Sequence, residues 1–259
     1  MKPLVIGTRG SPLALAQVEI IRSLLRNANP SLPVETRIIK TSGDNFVNLS
    51  LVAGGGKGLF TKEIEEQLLG GDIQIAVHSM KDLPTILPEG LIIGAVPPRE
   101  DAHDVFISRN FPSISQLPND ARVATSSIRR RAQLLAKRSD LQVEEIRGNV
   151  ETRLRKLAEN ETLEALILAA AGLRRLGLWK KFGHFHWREI GFETMIPAVG
   201  QGAIACEVRA VDTETRAALA GINDANTAAC VTAERAFLRA LGGGCQVPYA
   251  AHATVERER

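Results

Sequence analysis

Short apolar runs of strand length alternate along the chain with longer stretches in which apolar residues recur every three or four positions. Leu4 to Ile6, Val34 to Ile39, Ile73 to Val77 and Leu91 to Val96 read as strands, and Pro12 to Arg26 and Lys62 to Leu69 read as helices. Ser11 before Pro12 gives a capped helix start, Thr61 is the expected cap of the second helix, and Gly70-Gly71 its end. After Pro97-Pro98-Arg99-Glu100-Asp101 the pattern restarts. Strand Val105 to Ser108, a proline-bounded loop from Phe111 to Asn119, strand Arg122 to Thr125, helix Ile128 to Lys137, strand Gln142 to Ile146, helix Val150 to Leu157 and strand Ala165 to Ala169 follow. A helix-rich tail then runs to about Phe192. Such alternation predicts two α/β lobes, each with helices packed on a largely parallel sheet. Pro197 to Gly202 leads into one more strand, Ala203 to Val208, which is expected to return to the first lobe. Two crossing segments then make a hinge, an arrangement that places a ligand cleft between lobes. The expected division is a first lobe of 1–98 with 197–211, a second lobe of 99–196, and a third unit of 212–259.

Within the third unit a helix is read from Thr227 to Leu241, with an apolar stripe of Ala228, Val231, Ala233, Ala236, Phe237 and Leu241 and with Glu234 and Arg235 off it. Gly242-Gly243-Gly244 ends that helix and holds Cys245 on a permissive loop before Pro248. A thiol so placed can meet an electrophile or carry a covalent group; the plainer alternative is a glycine-rich helix end and a half-buried cysteine.

Composition narrows the chemistry. Three cysteines, at 206, 230 and 245, are too few and too far apart for a disulfide framework or a zinc site. The most apolar run, Leu166 to Leu173, is too short to span a bilayer, and the chain reads as soluble and cytoplasmic. Its net charge is only +3, but 23 of the 32 basic residues are Arg, the side chain suited to gripping carboxylates or phosphates in a planar, two-bond mode. With aromatics at 4% and no long basic block, stacking platforms for nucleic acid are scarce. A high-GC genome, which also enriches Arg, is the competing explanation.

Polar residues concentrate where α/β sheets bind ligands, at the carboxyl ends of strands and the helix starts that follow. Four such junctions are loaded: Thr8-Arg9-Gly10-Ser11, His78-Ser79-Met80-Lys81-Asp82, Ser126-Ser127-Ile128-Arg129-Arg130-Arg131 and Arg147-Gly148-Asn149-Val150. Any one of them is explained by capping and a solvated charge. Four at equivalent positions in two lobes point to a ligand with several carboxylates or phosphates. Asp82 is the acid in this cationic set, placed to stabilise positive charge on a substrate or to accept a proton, or else a turn residue before Leu83-Pro84. Gly54-Gly55-Gly56-Lys57-Gly58 lacks the Ser or Thr and the spacing of a phosphate loop, which leaves an anion-facing or plain surface loop. His184 and His186 lack a partner at ligand spacing and read as solvated loop residues.

Together these residues resemble the porphobilinogen deaminase (hydroxymethylbilane synthase) family. The resemblance rests on Thr8-Arg9 with Ser11 to Ala14, Gly56 to Phe60, Ala76 to Pro84, Arg99-Glu100-Asp101, Thr125 to Arg130, Arg147 to Leu154, Leu168 to Gly177, Pro197 to Gly202, Ala233-Glu234-Arg235 and Gly243 to Pro248. It runs in order over nearly the whole chain, with Ala53 and Gly242 as departures where the family commonly has Lys and Glu. The implied fold is α/β, two periplasmic-binding-protein-like lobes with a hinge plus a third α+β domain. Because the chain ends at Arg259, soon after Cys245, that domain is expected to be shortened.

The resemblance implies a transferase that joins four porphobilinogen molecules head to tail, with loss of ammonia, on a dipyrromethane cofactor held through a thioether to Cys245. By matched position Asp82 is the catalytic carboxylate, stabilising the cationic azafulvene formed as ammonia leaves. Lys81, Asp82, Thr125, Ser127, Arg129, Arg130, Gly148 and Arg153 are then the cofactor-binding set, and Arg9, Ser11, Lys57, Phe60, Arg147, Arg153, Arg175 and Gln201 the substrate-binding set. No metal is implied. A monomer is expected, with no nucleic acid or membrane partner, passing its product to a downstream cyclising enzyme. Two other classes compete: a two-lobed anion binder, which needs neither Cys245 nor Asp82, and a nucleic-acid binder, whose affinity would fall steeply with salt.

Overall fold

The computed structural model describes residues 3–45, 60–243 and 247–256. These divide between two compact units, the first drawn from 1–100, 203–245 and 253–259 and the second from 101–202 and 246–252. Among the described residues no helix is long and apolar enough to cross a membrane.

In the first unit β1 (Leu4–Thr8), α1 (Pro12–Ala28), β2 (Val34–Ile38), α2 (Ser42–Asn45), α3 (Lys62–Gly70), β3 (Ile75–Ser79) and β4 (Leu91–Ala95) follow one another. The second unit holds β5 (Asp104–Ser108), β6 (Arg122–Ala124), α4 (Ile128–Lys137), β7 (Gln142–Glu144), α5 (Val150–Glu159), β8 (Ala165–Ala169), α6 (Ala170–Arg175), α7 (Leu178–Lys181) and β9 (His186–Ile190). The chain then returns to the first unit with β10 (Ile204–Arg209), α8 (Thr213–Ala220) and α9 (Ala225–Ala240).

The first sheet has the order β2-β1-β3-β10-β4. β1 is parallel to both neighbours, whereas the returning β10 is antiparallel to β3 and β4. The expected return of this strand is therefore observed. The second sheet, β7-β6-β8-β5-β9, repeats the scheme: β6 is parallel to β7 and β8, and β5 is antiparallel to β8 and β9. Each sheet buries an aliphatic layer against its helices. Ile6, Ile75, Val77, Cys206 and Val208 meet Val18, Ile21 and Leu25 of α1 in the first unit. Val105, Ile107, Leu166 and Leu168 meet Leu154, Leu157, Leu173 and Phe185 in the second. Burial of each such side chain contributes roughly 1.5–3 kcal/mol, which sets the hydrophobic pattern as the main driver of both layers.

Four sequence expectations are corrected. β3 lies two residues further on than the apolar run indicated, so His78 and Ser79 belong to the strand; His78 is buried with its Nε2 3.3 Å from Glu207 Oε2 on β10, a partner that only sheet pairing supplies. The tail before Phe192 is not all helix. His186 lies in β9, an edge strand whose His186, Arg188 and Glu189 are all exposed, a pattern too polar to read as a strand until β5 pairs with it. Thr61 precedes α3 but makes no side-chain cap bond, while Gly71 ends that helix in the left-handed conformation (φ 83°), as expected.

The largest correction is the face of α9. Val231 is buried as expected and Ala228 partly so, but Ala233, Ala236 and Leu241 are exposed and Phe237 retains 47% of its surface, while Glu234 and Arg235 are interior. Glu234 accepts two bonds from Arg99 (Nη1 to Oε1 2.6 Å, Nη2 to Oε2 3.1 Å) and one from the backbone of Ala253 (2.9 Å). A charge can be buried when its partners are fully supplied, and these partners lie far away in sequence.

Candidate functional site

β1 and β3 are parallel neighbours, so their carboxyl ends bring Thr8 to Ser11 and Met80 to Asp82 to one edge of the first sheet. Ser11 caps α1, its hydroxyl accepting from Ala14 N (3.3 Å), and Pro12 occupies the first turn. The Arg9 guanidinium lies 4.2 Å over the Phe60 ring, a cation–π contact that joins two of the residues expected to meet substrate. Met80-Lys81-Asp82 forms a single 3-10 turn. Its entry is pinned by Met80 N donating to Ala203 O (3.0 Å), by the buried Met80 side chain, and by Gln17 Nε2 donating to Ser79 Oγ (2.8 Å). Lys81 is half-buried. Asp82 is exposed, and its carboxylate has no hydrogen-bond or ion-pair partner among the described residues.

In the second unit β6 and β7 are parallel, which places the Thr125 to Arg130 and Arg147 to Arg153 junctions side by side. Ser126 ties them, its hydroxyl donating to Ile146 O (2.5 Å) and accepting from Ile146 N (3.1 Å). Thr125 Oγ1 accepts from Ser127 N (3.2 Å), and Ser127 caps α4 by accepting from Arg130 N (3.4 Å). Asn149 caps α5 through Thr152 N (2.8 Å). Gly148, just before that cap, has φ 114°, and a Cβ there would lie 2.8 Å from Thr152 Cγ2. Gly148→Ala should therefore cost roughly 1–3 kcal/mol from the backbone conformation alone, read as a lowered urea midpoint with unchanged slope.

Asp104 begins β5, and because β5 is antiparallel to β8 it lies at this same edge. It is fully buried. Arg130 Nε and Nη2 donate to its Oδ1 (3.0 and 2.7 Å), Arg129 Nη2 to its Oδ2 (2.7 Å), and Gln201 Nε2 to Oδ1 (2.9 Å). Burial alone would raise the Asp104 pKa; the charges of Arg130 and Arg129, with hydrogen bonds from Arg130 and Gln201, outweigh it and bring it down to about 2. Further donors of these groups also turn inward, while the buried Arg129 Nε meets no hydrogen-bond partner among the described residues. Arg130 Nη1 donates to Ile167 O (3.1 Å), Arg129 Nη1 to Ile196 O (2.7 Å), and Gln201 Nε2 also to Ala102 O (2.8 Å). Three expected ligand-binding residues are thus gathered on one carboxylate that sequence reading did not single out. No local pattern marks Asp104; only the antiparallel turn of β5 brings it under α4.

Arg147 is more open and pairs with Glu145 (2.9 Å). Arg175 Nη2 donates to Gly202 O (2.6 Å). Arg153 differs from all of these. Its Nε donates to Gly148 O (2.8 Å), and among the described residues it has no acidic partner. Burial pushes its pKa down to about 10, with the charge of Arg130 acting in the same direction. A partly desolvated guanidinium with no carboxylate partner among the described residues can donate charge-assisted hydrogen bonds to one brought by a ligand.

Lys57 with its glycine loop, and Cys245, lie outside the described residues. Cys206 is buried, and burial pushes its thiol up to about 12, so it is no nucleophile. His184 and His186 are exposed. Asp101, His103 and Glu189 bring ligand atoms within 4.8 Å of one another, but Arg174 already supplies a cation there, bonding Asp101 (2.8 Å) and Glu189 (2.6 Å).

The family model described as "Porphobilinogen deaminase, dipyromethane cofactor binding domain" matches residues 4–217, and "Porphobilinogen deaminase, C-terminal domain" matches 228–259. The porphobilinogen deaminase of Syntrophotalea carbinolica is 50% identical over 253 residues, covering 98% of this chain and 79% of that protein. That of Desulforudis audaxviator is 53% identical over 250 residues, 96% of this chain and 79% of the relative. Among solved structures, the BenM effector-binding domain with its effector benzoate covers 99% of this chain and 98% of its own at a TM-score of 0.50 and 15% identity, a likeness of fold alone. The two five-stranded sheets are those of periplasmic-binding-protein-like lobes. With both family models matched in order and half the residues shared across nearly the full chain, this chain belongs to the porphobilinogen deaminase family.

Proposed function

We propose that the family's reaction is carried in this chain by Asp82, by Cys245 and by a set of arginines that read carboxylates. The reaction itself is the polymerisation of porphobilinogen into hydroxymethylbilane for tetrapyrrole biosynthesis, catalysed by a transferase with a dipyrromethane cofactor. Cys245 is the attachment point, through a thioether. The cofactor supplies, when bound, the pyrrole end to which substrate is added.

The observation that carries this reading is Arg153. A half-buried cation without an acidic partner among the described residues fits a group that brings its own carboxylates, and each pyrrole unit does so through acetate and propionate arms. Arg153 therefore binds one of them, assisted by the Ser127 and Gly148 loops. Arg147 and Arg175 extend the set in the second unit, while Arg129 and Arg130 hold that edge in shape through Asp104. In the first unit Arg9, over Phe60, together with Ser11 and Lys81 orients the substrate arms, with Lys57 as a further cation. Asp82, exposed and unpartnered among the described residues, is available to offset the cation that develops on porphobilinogen as ammonia departs.

For domain organisation we assign 1–98 with 197–211 to the first lobe, 99–196 to the second and 212–259 to a third domain bearing Cys245, a division supported by the separate family match over 228–259. A cytoplasmic monomer that hands its product to a cyclising enzyme completes the proposal.

The attachment is tested by intact mass and peptide mapping of freshly purified protein. A dipyrromethane adduct on Cys245 is expected. An unmodified Cys245 that gains no mass on incubation with porphobilinogen overturns the assignment.

A further inference from the structure

The backbone around Asp82 is held from two directions. Upstream, Met80 N bonds Ala203 O and Gln17 bonds Ser79. Downstream, the grip comes from α9: Arg235 donates to Leu83 O through Nη1 (3.3 Å) and to Pro84 O through Nη2 (2.6 Å), and Arg239, one turn further along, donates to Thr85 O (2.8 Å). Arg235 is interior and Arg239 exposed. Three successive carbonyls after Asp82 are thus bonded by one helix, and that helix leads directly into the segment containing Cys245.

We infer that Arg235, assisted by Arg239, is a positioning residue for the condensation, holding Asp82 in fixed relation to the helix from which Cys245 follows. The inference rests on the assignment of Asp82 and Cys245 made above. The Asp82 carboxylate has no partner of its own among the described residues, and what holds its place among them is the backbone of the turn. Arg235 matches two adjacent carbonyls with two donors of one rigid fork, which a lysine ammonium on a flexible stem does not reproduce. The turn keeps its own closure, Leu83 N donating to Met80 O (3.2 Å) with the Leu83 side chain buried, so weakening the grip shifts Asp82 without unfolding the segment. A misplacement of about 1 Å is enough to cost roughly 10²-fold in rate.

The test uses the full chain with its cofactor and measures kcat and KM for porphobilinogen consumption, adduct occupancy on Cys245, and melting temperature. Arg235→Lys should lose roughly 10- to 100-fold in kcat, with KM within about twofold and full occupancy. Arg239→Ala, at an exposed site, should lose a smaller factor in kcat with an unchanged melting temperature, and it decides the matter should Arg235→Lys not fold. Wild-type kcat in Arg239→Ala and in any folded Arg235→Lys, with Asp82→Asn inactive, overturns this inference alone. Loss confined to KM or to adduct occupancy does the same. Normal turnover by Asp82→Asn overturns the assignment beneath it as well.

Discussion

Asp82→Asn is expected to fold and melt like the wild type and to release ammonia from porphobilinogen roughly 10²- to 10³-fold more slowly, the scale seen when one preorganised electrostatic group is removed from a reacting centre. The structural half of this expectation follows from exposure: Asp82 ends a 3-10 turn, and no partner among the described residues loses a bond when its charge goes. The chemical half follows from charge. Asn keeps the shape and one acceptor oxygen but cannot offset a developing cation. Asp82→Glu retains the charge on a longer arm and should fall between the two, slowed by misplacement. A turn residue would behave otherwise, because Asn suits turns about as well as Asp. Ammonia release per enzyme, measured beside the melting temperature, separates the cases; an Asn variant with wild-type turnover assigns Asp82 to the turn.

Arg130→Leu should act mainly on stability, at a cost of roughly 3–5 kcal/mol, because it strips a buried carboxylate of one of its two cations. Arg147→Leu, whose pair with Glu145 is largely solvated, should cost roughly 0–1 kcal/mol, so any large loss of turnover there reports on ligand binding. The same network predicts an acid limb. Asp104 has a folded pKa near 2, below the unfolded value of about 3.9, so its contribution is fully present above pH 4 and lost as the pH falls through 2. That contribution amounts to roughly 2–3 kcal/mol. Urea titrations between pH 5 and 2 should show it in the wild type. Asp104→Asn should start less stable and show a shallower decline over that window; an unchanged pH slope would mean that the pair is not what stabilises this edge at pH 5.

Much of both units was legible from the chain alone, for a local reason. Hydrophobic period and capping act within a few residues, so Ser11-Pro12, Ser127 ahead of α4, Asn149 ahead of α5 and the strand from Ala165 to Ala169 were readable where they stand. The loaded strand ends were readable too, since a parallel sheet with crossover helices puts its carboxyl ends on one edge whatever the details. What the sequence left open was the sign of burial for charged residues. Glu234 and Arg235 looked like the solvated side of a helix, Arg129 and Arg130 like cations at a loaded strand end, and Asp104 like nothing in particular. Their positions are decided by Arg99, by the carbonyls of residues 83 and 84, and by the antiparallel pairing of β5 with β8, all distant in sequence. The hydrophobic pattern determines where a chain turns inward because every apolar side chain gains from leaving water, whereas a charge gains only where its partner is already in place, and that place exists only in the tertiary structure.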